Sequence, residues 1–122
     1  LTKKLIICSG KVYYDLSAEK EKRELMDAAI IRLEQLYPFP HDVLEATLAR
    51  YKNANSITWC QEEPMNQGAW YSTQHNIRRA MQANFPSIEL RYAGRDASAA
   101  AAAGYPALHL SQQEKFIHEA LS

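Results

Sequence analysis

Residues 59–71, WCQEEPMNQGAWY, decide the fold of this chain. The apolar stretch 57–60 predicts a buried β-strand that leads into this segment, and Pro64 is expected to stop it. Gly68 permits a tight backbone turn, after which a helical pattern begins. A strand that passes through a turn into a helix is the repeating unit of an open α/β sheet. In such sheets, ligands and partner domains usually dock at the carboxyl ends of the strands.

The same strand-to-helix unit recurs along the whole chain. Three unbroken apolar stretches and one alternating stretch predict strands, at 4–8, 28–31, 57–60 and 88–92. One-sided apolar spacing predicts a helix after each strand, and Ser111 with Glu114 has the sequence of a capping box at the start of the last one. The alternation predicts an α/β fold, with a three-layer, mainly parallel sheet of four to five strands and helices on both faces. The strand order and the direction of the fourth strand stay open.

Composition and charge are those of one ordinary globular domain. The chain has 122 residues, 47% of them apolar and 23% charged, and its 14 basic and 14 acidic side chains give a formal charge of zero. This balance predicts no nucleic acid and no anionic membrane as a partner. Because the first residue is Leu1 rather than Met and a strand follows almost at once, we expect residues 1–122 to be a single domain cut from a longer chain.

Cys8 and Cys60 each end an apolar strand, and we expect both to be buried free thiols. No Cys or His spacing matches a metal site, and no serine or histidine lies in the sequence context of a hydrolase. The residues alone therefore predict neither a metal ligand nor a catalytic residue in this chain.

Two cationic segments at predicted strand ends are candidates for binding an anion or an effector. Ser9, Gly10 and Lys11 lie between the first strand and its helix, where free backbone amides favour an anion. Arg91 and Arg95 lie in and after the fourth strand. In a parallel sheet, both segments face one crevice and together could hold a phosphate. The alternative is that the arginines are solvated or paired at an interface.

The turn after the third strand has a second set of polar residues. Glu62 and Glu63 are adjacent, so on extended backbone they point to opposite faces and cannot form a catalytic pair. One of them could act as a base, but capping of the next helix or pairing across an interface explains both. We expect a structural or interface role for the whole turn, namely for Glu62, Glu63, Asn66, Gln67, Gly68 and Trp70.

Four stretches resemble one family closely: CSGKVYYDL at 8–16, IIRLEQLYPFP at 30–40, WCQEEPMNQGAWY at 59–71 and RYAGRDASA at 91–99. They resemble the C-terminal domain of the thiamine-diphosphate-dependent 2-oxoglutarate dehydrogenases and, more loosely, the C-terminal domains of transketolases. The resemblance extends from Lys4 to Leu121. One departure is that alanines follow Asp96, where the family usually has a loop rich in Ser and Pro. Asp96 could neutralise Arg95, which weakens a phosphate-binding role for that arginine.

The resemblance implies an oxidoreductase of the tricarboxylic acid cycle as the parent protein. Such a parent decarboxylates 2-oxoglutarate on thiamine diphosphate with Mg²⁺ and passes the succinyl group to the lipoyl domain of a succinyltransferase component. In this family, the preceding domains and the second subunit of a homodimer hold those cofactors. This C-terminal domain would bind no cofactor itself and contain no catalytic residue. It would support dimer assembly, with Tyr13, Tyr14, Trp70 and Tyr71 as interface or core aromatics.

The resemblance also implies a place in the cell and a regulatory possibility. Members are cytoplasmic in bacteria and lie in the mitochondrial matrix in eukaryotes, and in some members such regions lie near a nucleotide or acyl-CoA site. The alternative hypothesis is a free-standing module that senses such a ligand around Ser9, Gly10 and Lys11. An independent small enzyme is a third hypothesis, but no nucleophile here is paired with a base.

Overall fold

The computed structural model describes residues 1–95 and 106–122. Four strands alternate with four helices: β1 Lys4–Cys8, α1 Val12–Lys22, β2 Ala28–Arg32, α2 His41–Ala49, β3 Ser56–Pro64, α3 Trp70–Met81, β4 Leu90–Arg95 and α4 Pro106–Ala120. Asp96 and the alanine-rich segment that follows it, residues 97–103, lie outside the described residues.

The strands form one sheet in the order β2-β1-β3-β4, and every neighbouring pair is parallel. Lys4 pairs with both Ala28 and Ser56, and Ile57 pairs with Leu90. The predicted α/β fold with a mainly parallel sheet is therefore confirmed. The direction of the fourth strand, which the sequence left open, is parallel to the others.

Two apolar clusters, one on each face of the sheet, form the core. On one face, α2 and α3 pack over the central strands, with Leu44, Trp59 and Ile77 fully or nearly fully buried. On the other face, α1 and α4 pack over the same strands, with Cys8 and Phe116 among the buried residues. Helices on both faces explain why β1 reads as an unbroken apolar stretch, since both sides of that strand are covered.

The main differences from the predicted element boundaries are in β3, β4 and α4. β4, predicted over 88–92, is Leu90–Arg95. β3, predicted over 57–60, is longer and ends at Pro64, the residue expected to stop it, with an irregularity of its register to β4 between Cys60 and Pro64. α4 begins at Pro106, so Ser111 lies inside the helix and the predicted capping box is wrong. Proline suits the first position of a helix because its fixed φ is helical and its missing N–H has no acceptor there.

No helix among the described residues combines the length and the apolar character that crossing a membrane requires.

Candidate functional site

The carboxyl ends of the strands form the candidate site. The chain leaves β1 toward β2 on one side and reaches β3 on the other, so the order of the strands reverses between β1 and β3. Open α/β sheets bind ligands at such a point. Here Lys11, three residues after β1, lies with its Nζ 3.6 Å from Oε2 of Glu62 in β3. One ion pair therefore bridges the reversal point.

Arg95, the last residue of β4, extends this contact into a network. Its Nη2 donates a 2.9 Å hydrogen bond to Oε1 of Gln113 in α4, and its Nη1 donates to the backbone oxygen of Glu62. The guanidinium carbon lies 5.3 Å from the centre of the Phe116 ring. Nε2 of Gln113 in turn donates to Oδ2 of Asp15 at 2.8 Å and faces Oε1 of Glu62 at 3.4 Å. We call Lys11, Asp15, Glu62, Arg95 and Gln113 the strand-end network.

The predicted anion-binding residues are only partly brought together. Lys11 and Arg95 both lie around Glu62, and Gly10, with φ +77°, makes the turn from Ser9 at the end of β1 toward α1. Arg91 is exposed and pairs in register with Thr58. It lies four residues before Arg95, about 13 Å along an extended strand. The structure therefore separates Arg91 from the other cations.

The turn after β3 is organised by Gln61, a side chain that is only 3% exposed. Its Oε1 accepts a 2.9 Å hydrogen bond from the indole Nε1 of Trp59 and a 3.0 Å bond from the backbone N–H of Trp70. These two donors belong to β3 and to the first residue of α3. One buried amide oxygen therefore joins the strand to the helix that follows it.

The amide nitrogen of the same Gln61 holds the backbone of the turn. Nε2 donates to the carbonyl oxygens of Glu63, Pro64 and Gln67, at 3.1, 2.9 and 2.9 Å. A buried amide with all its polar atoms bonded stabilises a single loop conformation, because any rearrangement leaves groups without partners.

Gly68 has a left-handed backbone conformation in this turn, and Trp70 is buried. Gly68 has φ +67°, and a Cβ there would lie 3.0 Å from Oε1 of Glu63 and 3.3 Å from Nε2 of Gln61. Trp70 is 7% exposed, and its ring centre lies 5.2 Å from that of Tyr92. Three further predicted turn residues are exposed, namely Glu63, Asn66 and Gln67.

Gln61, Asp15 and Gln113 were not identified from the sequence. Gln61 falls at the third position of the alternation 57, 59, 61 on a buried face of β3, so its burial could have been inferred from the strand period. Asp15 and Gln113 are far apart in the chain and meet only because α1 and α4 cover the same face of the sheet. No local sequence pattern predicts the contact between Asp15 and Gln113.

The two cysteines are free, fully buried and directly opposite each other in β1 and β3. Burial raises the pKa of the Cys8 thiol to about 12, although the positive charge of Arg32 opposes the shift. Burial also raises the pKa of Cys60, with smaller contributions from Cys8 and Asp15. Both groups are therefore protonated thiols with little nucleophilic character. Within residues 1–95 and 106–122, no group of three or more His, Cys, Asp or Glu side chains could hold a metal ion.

A solved structure with the same architecture is a transketolase. The structure described as "Split gene transketolase, inactive beta4 tetramer", where beta4 denotes four copies of one subunit, matches with a TM-score of 0.63. The match covers 99% of this chain and 39% of that chain, at 12% sequence identity. At that identity the match shows the fold, which is that of a transketolase-like α/β domain.

The family is shown by sequence. The family model described as "2-oxoglutarate dehydrogenase C-terminal" matches residues 1–121, and the chain therefore belongs to that family. It is 51% identical over 119 residues to the 2-oxoglutarate dehydrogenase E1 component of Azotobacter vinelandii and 49% identical over 120 residues to that of Haemophilus influenzae. It is 43% identical over 118 residues to the mitochondrial 2-oxoglutarate dehydrogenase of Schizosaccharomyces pombe.

These alignments cover 97–98% of this chain but only 12–13% of each relative. The chain thus spans about an eighth of the length of the curated relatives that it matches. The resemblance stated from the sequence motifs is confirmed.

Proposed function

We propose that this chain is the C-terminal domain of the E1 component of a 2-oxoglutarate dehydrogenase and supports the assembly of that enzyme without performing its chemistry. The family match over residues 1–121 carries the proposal, together with the small share of each relative that the chain spans. A segment of this length in an enzyme eight times longer is expected to be one domain among several.

The reaction proposed for the parent begins when 2-oxoglutarate loses CO₂. The succinyl group that remains passes to a lipoyl disulfide, where one sulfur forms the thioester and the other leaves as a thiol. Thiamine diphosphate with Mg²⁺, when bound, supplies the carbanion chemistry of the decarboxylation. Among the described residues, no group of three or more His, Cys, Asp or Glu side chains could hold the Mg²⁺, and we derive no step through either cofactor in this domain.

The polar groups at the strand ends support a structural role. Arg95, Gln113 and Glu62 bond to one another across β3, β4 and α4, so most of this network is committed to contacts within the domain. Exposed aromatic side chains offer surface for the preceding domains or for the second subunit of a homodimer. Tyr14 is 61% exposed and Tyr71 is 56% exposed, and tyrosine is enriched at protein interfaces. Trp70 belongs to the core instead.

The proposed setting is the bacterial cytoplasm, or the mitochondrial matrix if the source is eukaryotic. The proposed partners are the preceding domains, the second subunit and the lipoyl-bearing succinyltransferase component.

The test is complementation of a truncated parent enzyme by this domain. Light scattering gives the mass of the truncated enzyme alone and mixed with the domain, and decarboxylation of 2-oxoglutarate with ferricyanide as electron acceptor is read on the same samples. We expect a dimer and activity only in the mixture. Full activity and a dimer from the truncated enzyme alone would contradict the assembly role.

Regulation at the reversal point is a second candidate, favoured by the exposure of Lys11. The Lys11 side chain is 80% exposed, so an anionic effector could displace its contact with Glu62 without unfolding any part of the domain. Titration calorimetry of the parent enzyme with AMP and with acetyl-CoA tests this, using Lys11→Ala and, as a control, Lys22→Ala at another exposed site. Binding that Lys11→Ala alone weakens supports the candidate, and no heat with either ligand would remove it.

A further inference from the structure

The core on the α1 side of the sheet is incompletely covered at its β2 edge. Three apolar side chains, those of Tyr13, Leu25 and Ile30, pack against the cluster under α1 and α4 but are only partly buried. β2 is the last strand of the sheet on this side, and among the described strands it pairs only with β1. The gap in the cover therefore lies between α1 and the edge strand.

This gap is a groove of about 840 Å³. It is lined by charged side chains of both signs near the end of α1 and by four apolar side chains, those of Tyr13, Leu25, Met26 and Ile30. Met26 is 88% exposed. A single exposed apolar side chain is ordinary on a protein surface, but this one borders a core that is open to solvent. Methionine also adapts its shape to whatever packs against it.

The end of α1 holds Met26 in this exposed position. Glu24 has φ +53°, its N–H donates to the carbonyl of Glu21, and the N–H of Leu25 donates to the carbonyl of Lys20, both at 3.1 Å. These two bonds around a left-handed residue form the Schellman motif, which packs the next apolar residue back against its helix. Leu25 is thus turned toward the core, and Met26 follows it on the outside.

The first residues of the chain lie beside the groove. The backbone N–H groups of Lys3 and Lys4 both donate to the carbonyl oxygen of Asp27, at 2.7 and 3.0 Å, and Nζ of Lys4 lies 4.0 Å from Oδ2 of Asp27. Asp27 directly follows Met26, so these contacts fix the start of β1 next to the groove. Leu1 is 87% exposed. Two exposed apolar side chains, Leu1 and Met26, therefore lie within two residues of one hydrogen-bonded pair.

We propose that the residues preceding Leu1 in the parent enzyme lie in this groove as an extended segment, with apolar side chains against Tyr13, Met26 and Ile30. The inference rests on the proposed function, in which this chain is about an eighth of a longer protein. α1 has 11 residues and is therefore about 16 Å long. Roughly five extended residues cover that distance, so a short segment is enough to fill the groove.

A tethered segment is favoured over a second copy of the chain or a separate protein. Because the contacts of Lys3 with Asp27 bring the segment to the groove, its effective concentration there is of the order of millimolar. A separate partner would need attraction over a distance, but the charged side chains that line the groove, Lys20, Glu21 and Glu24, have opposite signs and nearly cancel. An apolar groove with little net charge is typical of a contact that stays closed.

The first measurement is the rate at which hydrogen peroxide oxidises Met26 to the sulfoxide in the full-length parent, read by mass spectrometry of its peptides. Met81, which is 2% exposed, is the slow internal reference. We expect Met26 to react about tenfold more slowly in the folded parent than in the urea-unfolded parent, because a covered thioether is inaccessible. Replacing the segment directly before Leu1 by a Gly/Ser linker of equal length should restore fast oxidation. The same replacement one segment further upstream is the control and should not.

Photo-crosslinking in the same parent identifies the occupant. p-Benzoylphenylalanine takes the place of Met26 in the test variant and of Val43, 66% exposed on α2, in the control. Position 26 should join to a peptide that precedes Leu1 and give a product with the mass of one subunit, and position 43 should not.

Two results would overturn the inference. One is oxidation of Met26 in the folded parent as fast as in the unfolded parent. The other is protection that survives the Gly/Ser replacement, with position 26 joined to another region or to a second subunit. A parent without ferricyanide activity on 2-oxoglutarate would overturn the proposed function alone, because oxidation and cross-linking report on the groove whatever reaction the parent catalyses.

Discussion

The indole Nε1 of Trp59 donates a 2.9 Å hydrogen bond to Oε1 of Gln61, two residues further along the same strand. Both side chains lie on the face covered by α2 and α3, and Gln61 then bonds onward to the first residue of α3. A buried tryptophan usually finds a hydrogen-bond acceptor. Here the acceptor is also the group that orders the whole turn, so strand, turn and helix depend on one amide.

Replacing the Gln61 amide should therefore lower the free energy of unfolding considerably. Gln61→Leu removes the buried partner of two N–H groups, those of Trp59 and Trp70, and of the backbone carbonyls that the Gln61 amide bonds. We therefore expect the free energy of unfolding to fall by about 3 kcal/mol. Urea denaturation of wild type and variant measures this difference in the free energy of unfolding. Gln67→Leu is the matched control, because that side chain is exposed and only its backbone oxygen takes part. A similar loss in both variants would show that Gln61 has no special role.

Gly94 should not tolerate a side chain. A Cβ there would lie 2.7 Å from Cζ of Tyr92 and 2.8 Å from the backbone oxygen of Gln61, and it would also contact the Tyr92 hydroxyl, which donates to the carbonyl of Arg95. We expect Gly94→Ala to cost about 2 kcal/mol in thermal or urea unfolding, as overpacking does in a dense core.

The control for Gly94 is Gly10→Ala. At Gly10 nothing lies within 4 Å of the added Cβ, but φ is +77°, so only backbone strain of about 1 kcal/mol is expected. If the Gly94 effect is steric, combining Gly94→Ala with Tyr92→Phe should give less than the sum of the two single losses. Additive losses would point to another cause.

The bonds of Arg95 should not be replaceable by a lysine. A single ammonium cannot bond both the Glu62 carbonyl and Gln113 in the geometry of the guanidinium, so Arg95→Lys should reduce the free energy of unfolding by about 1–2 kcal/mol. Arg91→Lys makes the same change at an exposed position of the same strand, and it should alter the free energy of unfolding by less than about 0.5 kcal/mol. Equal effects would mean that the contacts of Arg95 add nothing to stability.

The buried thiols should make stability decrease at alkaline pH. The folded state keeps the Cys8 proton up to a pKa of about 12, whereas the unfolded chain releases it near 9.0. Above that lower value the unfolded state binds fewer protons, so the free energy of unfolding falls with rising pH, by up to about 1.4 kcal/mol per pH unit for each thiol. Urea unfolding one pH unit below and one above 9.0 measures this slope.

The control for the thiols is Cys8→Ala/Cys60→Ala. That variant is expected to be less stable at every pH because it leaves a cavity, but the thiol contribution to the slope should vanish. An unchanged slope would show that other groups, such as the tyrosines, determine it.

The order and type of the elements could be predicted because each strand is either uniformly apolar or alternating and each helix has one apolar face. The boundaries that failed have physical causes. Glu62 and Glu63 resemble the end of a strand, but β3 continues past them, with a register irregularity and bonds from the Gln61 amide to Glu63 and Pro64, and ends at Pro64. Ser111 has the sequence of a helix cap, yet Pro106 starts the helix earlier.

The candidate site was predictable only in part, for a related reason. Lys11 and Arg95 could be placed at strand ends from the sequence, because parallel strands end at the same edge. Gln113, which accepts from Arg95, and Asp15, which accepts from Gln113, come from opposite ends of the chain. The sequence places Arg91 beside Arg95 because both belong to one strand segment, but their positions along β4 separate them.

The central place of β1 in the sheet also bears on synthesis by the ribosome. β1 is made first, yet one of its two neighbours is β3, so that Lys4 has to wait for Ser56 before both of its edges are paired. Until then, one edge of a strand that is apolar from Leu5 to Cys8 stays open to other chains. Pairings between distant segments form slowly and leave strand edges exposed to aggregation. A nascent chain of this domain is therefore expected to need shielding by a chaperone until β3 has emerged.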